Sequence, residues 1–176
     1  MSQQKISTHL ISQVILNDEK AQFQLFELTK RMVYSIAYRV LNDEDEAHDV
    51  LQDTFVEVFQ KIRKLDRPEA LISWMKTITV RKAVYQSKKR LRFEPLLHAE
   101  NESSDDFDAW FDAELLDQAI RSLPDGARAV FVLVAVEGFP HKECAELLGV
   151  SESTSKSQLN YAKSLLKTRI TKLLQA

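Results

Sequence analysis

Two stretches carry side chains suited to holding phosphates and bases. Across residues 151–170, Ser153, Thr154, Ser157, Asn160 and Tyr161 recur on one side of a helical pattern whose other side is the apolar stripe Leu159, Ala162, Leu166, Ile170. Small hydroxyl and amide groups on the first turns of a helix suit base edges and phosphates in a major groove, and Lys156, Lys163 and Lys167 supply charge for the DNA backbone. Across residues 76–90, Lys76, Arg81, Lys82, Lys88, Lys89 and Arg90 surround Tyr85. Cations there give salt-dependent affinity for phosphates, and the aromatic ring gives a stacking surface for an unpaired base. Each stretch has a plainer reading as well, as the solvated face of a helical hairpin or a lysine-rich helix end.

The elements that must position these groups are helices. Residues 141–148 have the apolar spacing of a short helix, Gly149 and Val150 form a turn, and Ser151 is a good N-cap for the longer helix that follows, which together make a helix-turn-helix. The basic stretch is the later half of a helix that begins after Pro68 and turns Leu71, Trp74, Met75 and Ile78 inward. Ahead of it the sequence predicts helices over 6–16, 20–41 and 47–62, separated by the cap-and-turn pairs Asn17-Asp18 and Asn42-Asp43. The acids at 43–46 fall in a first turn, where the helix dipole favours them.

Helix 47–62 points Ala47, Val50, Leu51, Thr54, Phe55, Val58 and Ile62 inward. Asp49, Gln52, Asp53, Val56 and Gln60 lie opposite, with Phe59 at their margin. Apolar groups set among acids and amides suggest a docking surface, although exposed apolar residues are also ordinary. Residues 93–112 lack a clear period, are rich in Asp, Glu and Ser, and read as a flexible linker in which Phe107, Trp110 and Phe111 staple the chain to a helix over 114–122.

Composition bounds the function. Three glycines and four prolines in 176 residues favour an all-α fold of two small helical domains over strand-rich architectures. No apolar run approaches a membrane span and the first ten residues lack signal-peptide character, so a cytoplasmic protein without membrane insertion is expected. A single cysteine, Cys144, excludes an internal disulfide and a cysteine-rich zinc cluster. The net charge of −2 conceals a basic block from Arg63 to Arg92 followed by an acidic one from Glu94 to Asp117.

AHDVLQDTF, SWMKTITVRKAVYQSKKR and LPDGARAVFVLVAVEGFPHKECAELLGVSESTSKSQL, in that order, resemble three segments of bacterial RNA polymerase sigma factors of the small extracytoplasmic-function type. Such proteins retain only regions 2 and 4. The resemblance implies region 2 over 1–92, an acidic linker over 93–112 and region 4 over 113–176. It implies a promoter-specificity subunit without catalytic activity, cofactor or metal.

By that resemblance Asp49, Gln52, Asp53, Val56, Phe59 and Gln60 meet the coiled coil of the largest subunit of core RNA polymerase, and the flap is a further contact. Arg63, Lys64, Arg67, Lys76, Arg81, Lys82, Tyr85, Lys88, Lys89 and Arg90 would hold the melted −10 strand. Ser153, Thr154, Lys156, Ser157, Gln158, Asn160, Tyr161 and Lys163 would face the −35 element. Promoter DNA and an anti-sigma factor join the expected partners. Four features depart from the family pattern: Arg81 and Tyr85 replace an Asn and an Asp, Ser155 replaces a Val on the inward stripe, Cys144 replaces an aliphatic residue, and Gln158 replaces an Arg. A stand-alone helix-turn-helix regulator with a helical sensor domain is the competing reading. A metalloprotein is disfavoured, because His141 and Cys144 have no further ligand pair.

Overall fold

The computed structural model describes residues 6–88, 91–93 and 113–174, and among these every regular element is helical. The chain divides into two compact units, residues 1–38 with 43–85 and residues 39–42 with 86–176. The linker expected over 93–112 lies, Phe93 apart, outside the described residues, as do Lys89, Arg90, Phe107, Trp110 and Phe111.

The first unit is built on α1 (Thr8–Ile15), α2 (Glu19–Leu41), α3 (Glu44–Lys61) and α4 (Leu71–Ser87), with short 3₁₀ turns at Ile62–Lys64 and Pro68–Ala70. The dipeptide Asn-Asp makes the same corner twice. Asn17 and Asn42 adopt left-handed backbone (φ 63° and 54°) just beyond the ends of α1 and α2, a conformation Asn tolerates better than most residues because its short amide bonds locally. The aspartate that follows then caps the next helix: Asp18 Oδ1 accepts from the Ala21 N–H at 2.8 Å, and Asp43 Oδ1 from the Glu46 N–H at 2.9 Å. Each such cap contributes about 1 kcal/mol, and the acids at 44–46 occupy the first turn as the dipole argument requires.

Leu10, Ile11, Val14, Leu25, Val33, Phe55, Val58, Ile62, Leu71, Met75 and Ile78 form the unit's core. Phe26 meets Phe55 edge to face, ring centroids 4.8 Å apart. Each fully buried aliphatic side chain contributes about 1.5–3 kcal/mol relative to exposure, so α3 and α4 are held by their inward stripes and present fixed outer faces.

The second unit contains α5 (Ala113–Arg121), α6 (Asp125–Phe131), a π-helical turn (Val132–Val136), α7 (His141–Leu148) and α8 (Glu152–Leu174). Arg128 is buried, and its guanidinium closes the end of α5: Nη1 donates to the carbonyls of Leu123 at 2.9 Å and Arg121 at 3.5 Å, while Nη2 pairs with Asp125. Carbonyls at a helix end lack partners within the helix, so this cation belongs to the fold. Gly149 ends α7 at φ 71°, where its N–H bonds the Ala145 carbonyl and any Cβ would be strained. The helix α8 begins at once, with the Thr154 N–H donating to Ser151 Oγ at 3.0 Å. The packing of Leu159, Ala162, Leu166 and Ile170, all buried, sets its rotation.

Candidate functional site

On α3 the outer face is as the helical period predicts. Asp49, Gln52, Asp53 and Gln60 are exposed, Val56 is 55% exposed, and Phe59 is half-buried with its ring 5.8 Å from that of Phe55. An apolar side chain in water, a second one backed by the core and acids on either side make a face that suits a basic, partly apolar partner.

The neighbouring cationic face starts beyond the end of α3. Lys64, Arg67, Arg81 and Lys88 are exposed, and Tyr85 is 76% exposed. Arg81 and Tyr85 stand one turn apart on α4 and so share one side of it, and Lys88 follows directly where the helix ends at Ser87. Such a set can pair with phosphates on both flanks of a stacked base. Arg63 and Lys82 of the expected set have partners within the fold. Arg63 Nε donates to the Ile15 carbonyl at the end of α1, at 3.1 Å. Lys82 Nζ lies 3.0 Å from Glu57 Oε2 on α3, while Lys61 Nζ donates to Glu57 Oε1 at 2.7 Å. The hydrogen bond from Lys61, then that from Lys82, hold the Glu57 carboxyl below the usual range against a modest opposing effect of burial. Lys76 is half-buried.

The helix-turn-helix differs in kind. Ser151 Oγ is hydrogen-bonded to both Ser153 Oγ and Thr154 Oγ1 at 2.8 Å, and Ser157 Oγ donates to the Thr154 carbonyl at 3.0 Å. Lys156 pairs with Glu152 at 2.7 Å, which lowers the glutamate's pKa. Ser153, Lys156 and Lys163 are exposed, whereas Thr154, Ser157, Asn160 and Tyr161 are half-buried.

One expected −35 contact is corrected by the structure. Gln158 is only 2% exposed. It stands three residues after Ser155 and four before Ala162, on the inward stripe, so its amide cannot meet a base edge while α8 keeps this rotation.

The departures at Ser155 and Cys144 do not leave unmatched polar groups in the core. Both residues are fully buried, and Ser155 Oγ is hydrogen-bonded to His141 Nδ1 at 2.9 Å and to the Cys144 side chain. Burial pushes the Cys144 thiol up and the His141 imidazole down, the latter with help from Lys156 and against Glu152. Both groups are therefore neutral near pH 7. His141 and Cys144, three residues apart on one helix, serve the same hydroxyl, and among the described residues no group of three His, Cys, Asp or Glu is placed to hold a metal ion. Sequence reasoning missed the buried Arg128 and the Glu57 pair; a basic residue amid Ala-Val repeats was the available signal for the former.

The family model for sigma-70 region 2 matches residues 25–93 and that for sigma-70 region 4 matches residues 113–166. The chain is 28% identical over 151 residues to the ECF RNA polymerase sigma factor SigE of Mycolicibacterium smegmatis, covering 80% of this chain but 58% of that relative. It is 26% identical over 145 residues to the sigma factor SigV of Bacillus subtilis, covering 81% and 87%. In fold it is similar to the sigma factor RpoE of Bartonella quintana, solved in complex with the anti-sigma factor NepR, with a TM-score of 0.55 at 22% identity over 84% of this chain and 95% of that one. Among the described residues no helix is long and apolar enough to cross a membrane.

Proposed function

The chain belongs to the sigma-70 family of RNA polymerase sigma factors, with regions 2 and 4, and is a promoter-specificity subunit; from that premise we propose how its faces divide the work. Region 2 occupies 1–92, region 4 occupies 113–176 and 93–112 links them. The face of α3 carrying Asp49, Gln52, Asp53, Val56, Phe59 and Gln60 docks on the largest subunit of core polymerase. Arg81, Tyr85 and Lys88, together with Lys64 and Arg67, hold the melted −10 strand. Ser153, Asn160, Tyr161 and Lys163 on α8 face the −35 duplex.

The observation that carries this reading is the exposed Tyr85, with exposed Arg81 one turn before it and exposed Lys88 just past the helix end, on a helix tied to the docking helix through Lys82 and Glu57. An aromatic left in water costs solvation unless a partner covers it, and a flat ring flanked by cations suits an unstacked base. The protein then lowers the cost of opening the −10 region, because the strand's lost stacking is replaced on its surface. It has no bond-making chemistry of its own to perform; polymerase supplies that.

An anti-sigma factor is a further partner, in keeping with the family resemblance. A stand-alone regulator would leave the region 2 match over 25–93 without a role. Transcription from a promoter library with purified core polymerase tests the reading. Defined start sites should appear only when protein and core are both present. Tight duplex binding by the protein alone, unaffected by core, would refute it.

A further inference from the structure

Glu57 lies on neither of the faces just described, yet it joins the helices that carry them. Its two carboxylate oxygens serve different lysines: Oε1 accepts from Lys61 one turn along α3 at 2.7 Å, and Oε2 from Lys82 across on α4 at 3.0 Å. Lys82 and Glu57 are 26% and 27% exposed, so the pair is partly desolvated but open to an incoming group. Lys82 follows Arg81 directly and precedes Tyr85 by three residues, which puts it on the flank of the stripe assigned to strand binding.

We propose that Glu57 is a positioning residue that governs strand discrimination, by holding Lys82 against α3 until a well-seated strand draws it onto a backbone phosphate. The inference rests on the strand-binding reading of α4. Its physical basis is the asymmetry of the triad. A carboxylate with one partner would be stranded when that partner left, and the exchange would be opposed. Glu57 keeps Lys61 on its other oxygen, so Lys82 can leave at small cost.

The exchange replaces one charge-assisted pair by another and comes out near balance. Lys82 therefore adds little to a strand that Arg81 and Tyr85 do not already hold. Weakly seated strands also meet the carboxylate's own repulsion. The consequence is selectivity: Glu57 subtracts more from binding of a mismatched strand than from binding of the matched one.

The test uses holoenzyme at saturating core polymerase, with single-stranded oligonucleotides carrying either the −10 non-template sequence or a mixed sequence of equal length. Glu57→Gln should tighten mixed-sequence binding about three- to fivefold, the scale of one partly exposed ion pair, and tighten the cognate strand less. The salt dependence of mixed-sequence binding should steepen by about 0.7, the increment for one added phosphate contact. In a Lys82→Met background Glu57→Gln should gain clearly less, keeping only the part due to the carboxylate's own repulsion. Unchanged mixed-sequence affinity, or an equal gain in the Lys82→Met background, would overturn the proposal, as would loss of core association by Glu57→Gln. Tyr85→Ala is measured alongside: if it fails to weaken cognate-strand binding, the reading of α4 itself falls, whereas a weakened strand with a silent Glu57→Gln removes only the role of Glu57.

Discussion

Arg81 and Tyr85 on α4, and Lys88 just past its end, stand in water; on α8 most of the polar groups are already engaged. Ser153 and Thr154 each bond Ser151, Ser157 bonds the Thr154 carbonyl, and Lys156 shares its charge with Glu152. The difference matches the two tasks proposed for them. A single strand is floppy and highly charged, so cations and a stacking surface suffice to hold it. A duplex is stiff, and its base edges reward groups whose positions are fixed beforehand. Region 2 should therefore bind with strong salt dependence and modest sequence preference, and region 4 with the reverse.

The most damaging intervention acts before either helix can work. Replacing Asp49 and Asp53 by Lys puts like charge on the proposed docking face and should reduce core association by more than about tenfold, with the helical circular dichroism unchanged. Unaltered co-purification would show that α3 docks elsewhere, and would remove the frame in which α4 and α8 are compared.

Within that frame Tyr85→Ala should weaken −10 strand binding by about 1–3 kcal/mol through lost stacking. Its salt slope should stay the same, while Arg81→Ala should lower the slope by about 0.7. Equal effects of the two on the slope would mean that Tyr85 acts only through its neighbours' charge.

Gln158→Ala sharpens the other side. A buried amide contributes to stability and not to readout, so thermal denaturation should show a loss of about 1–3 kcal/mol while the −35 preference in a promoter library stays the same. A changed preference would return Gln158 to the DNA face.

The smallest effect expected is one of pH. Burial, then Lys156, lowers the His141 pKa in the fold, so the unfolded chain binds the proton more readily. The stability this confers is fully present above the unfolded value of about 6.5 and is lost as pH falls through the lower folded value. Melting curves between pH 8 and pH 5 should show region 4 weakening on the acid side, and His141→Gln should flatten that slope. An acid-side loss that persists in His141→Gln would assign it to other groups.

The same contrast explains what could be read in advance. The face of α3 was legible because an apolar stripe fixes that helix's rotation, so Val56 on the other side had to be exposed; on α4 apolar residues are spread around the helix, and it was the run of cations around Tyr85 that marked its end. On α8 both faces are polar in part, and the hydroxyl-rich composition hid the register at Gln158, which looks like a surface residue and is buried, whereas Ser155 was already read on the inward stripe. Ser155 is satisfied there by His141 and Cys144, from a helix that sequence spacing cannot place. Lys82 and Arg128 counted as cations in the basic pattern or went unremarked. Glu57 and the carbonyls at the end of α5 claim them only after the helices pack. Pairings of that kind are set by tertiary contact, which periodicity does not report.

The division of labour between α4 and α8 can be tested in one binding experiment, with holoenzyme and two DNAs: a single-stranded −10 oligonucleotide, and a fork with a duplex −35 element. Arg81→Ala with Tyr85→Ala should abolish discrimination of the −10 strand and leave the penalty for a mutated −35 element intact. Ser153→Ala with Asn160→Ala should do the opposite. If the α8 variant loses strand binding, or the α4 variant leaves it unchanged, the two helices do not divide the promoter between them and the account is wrong.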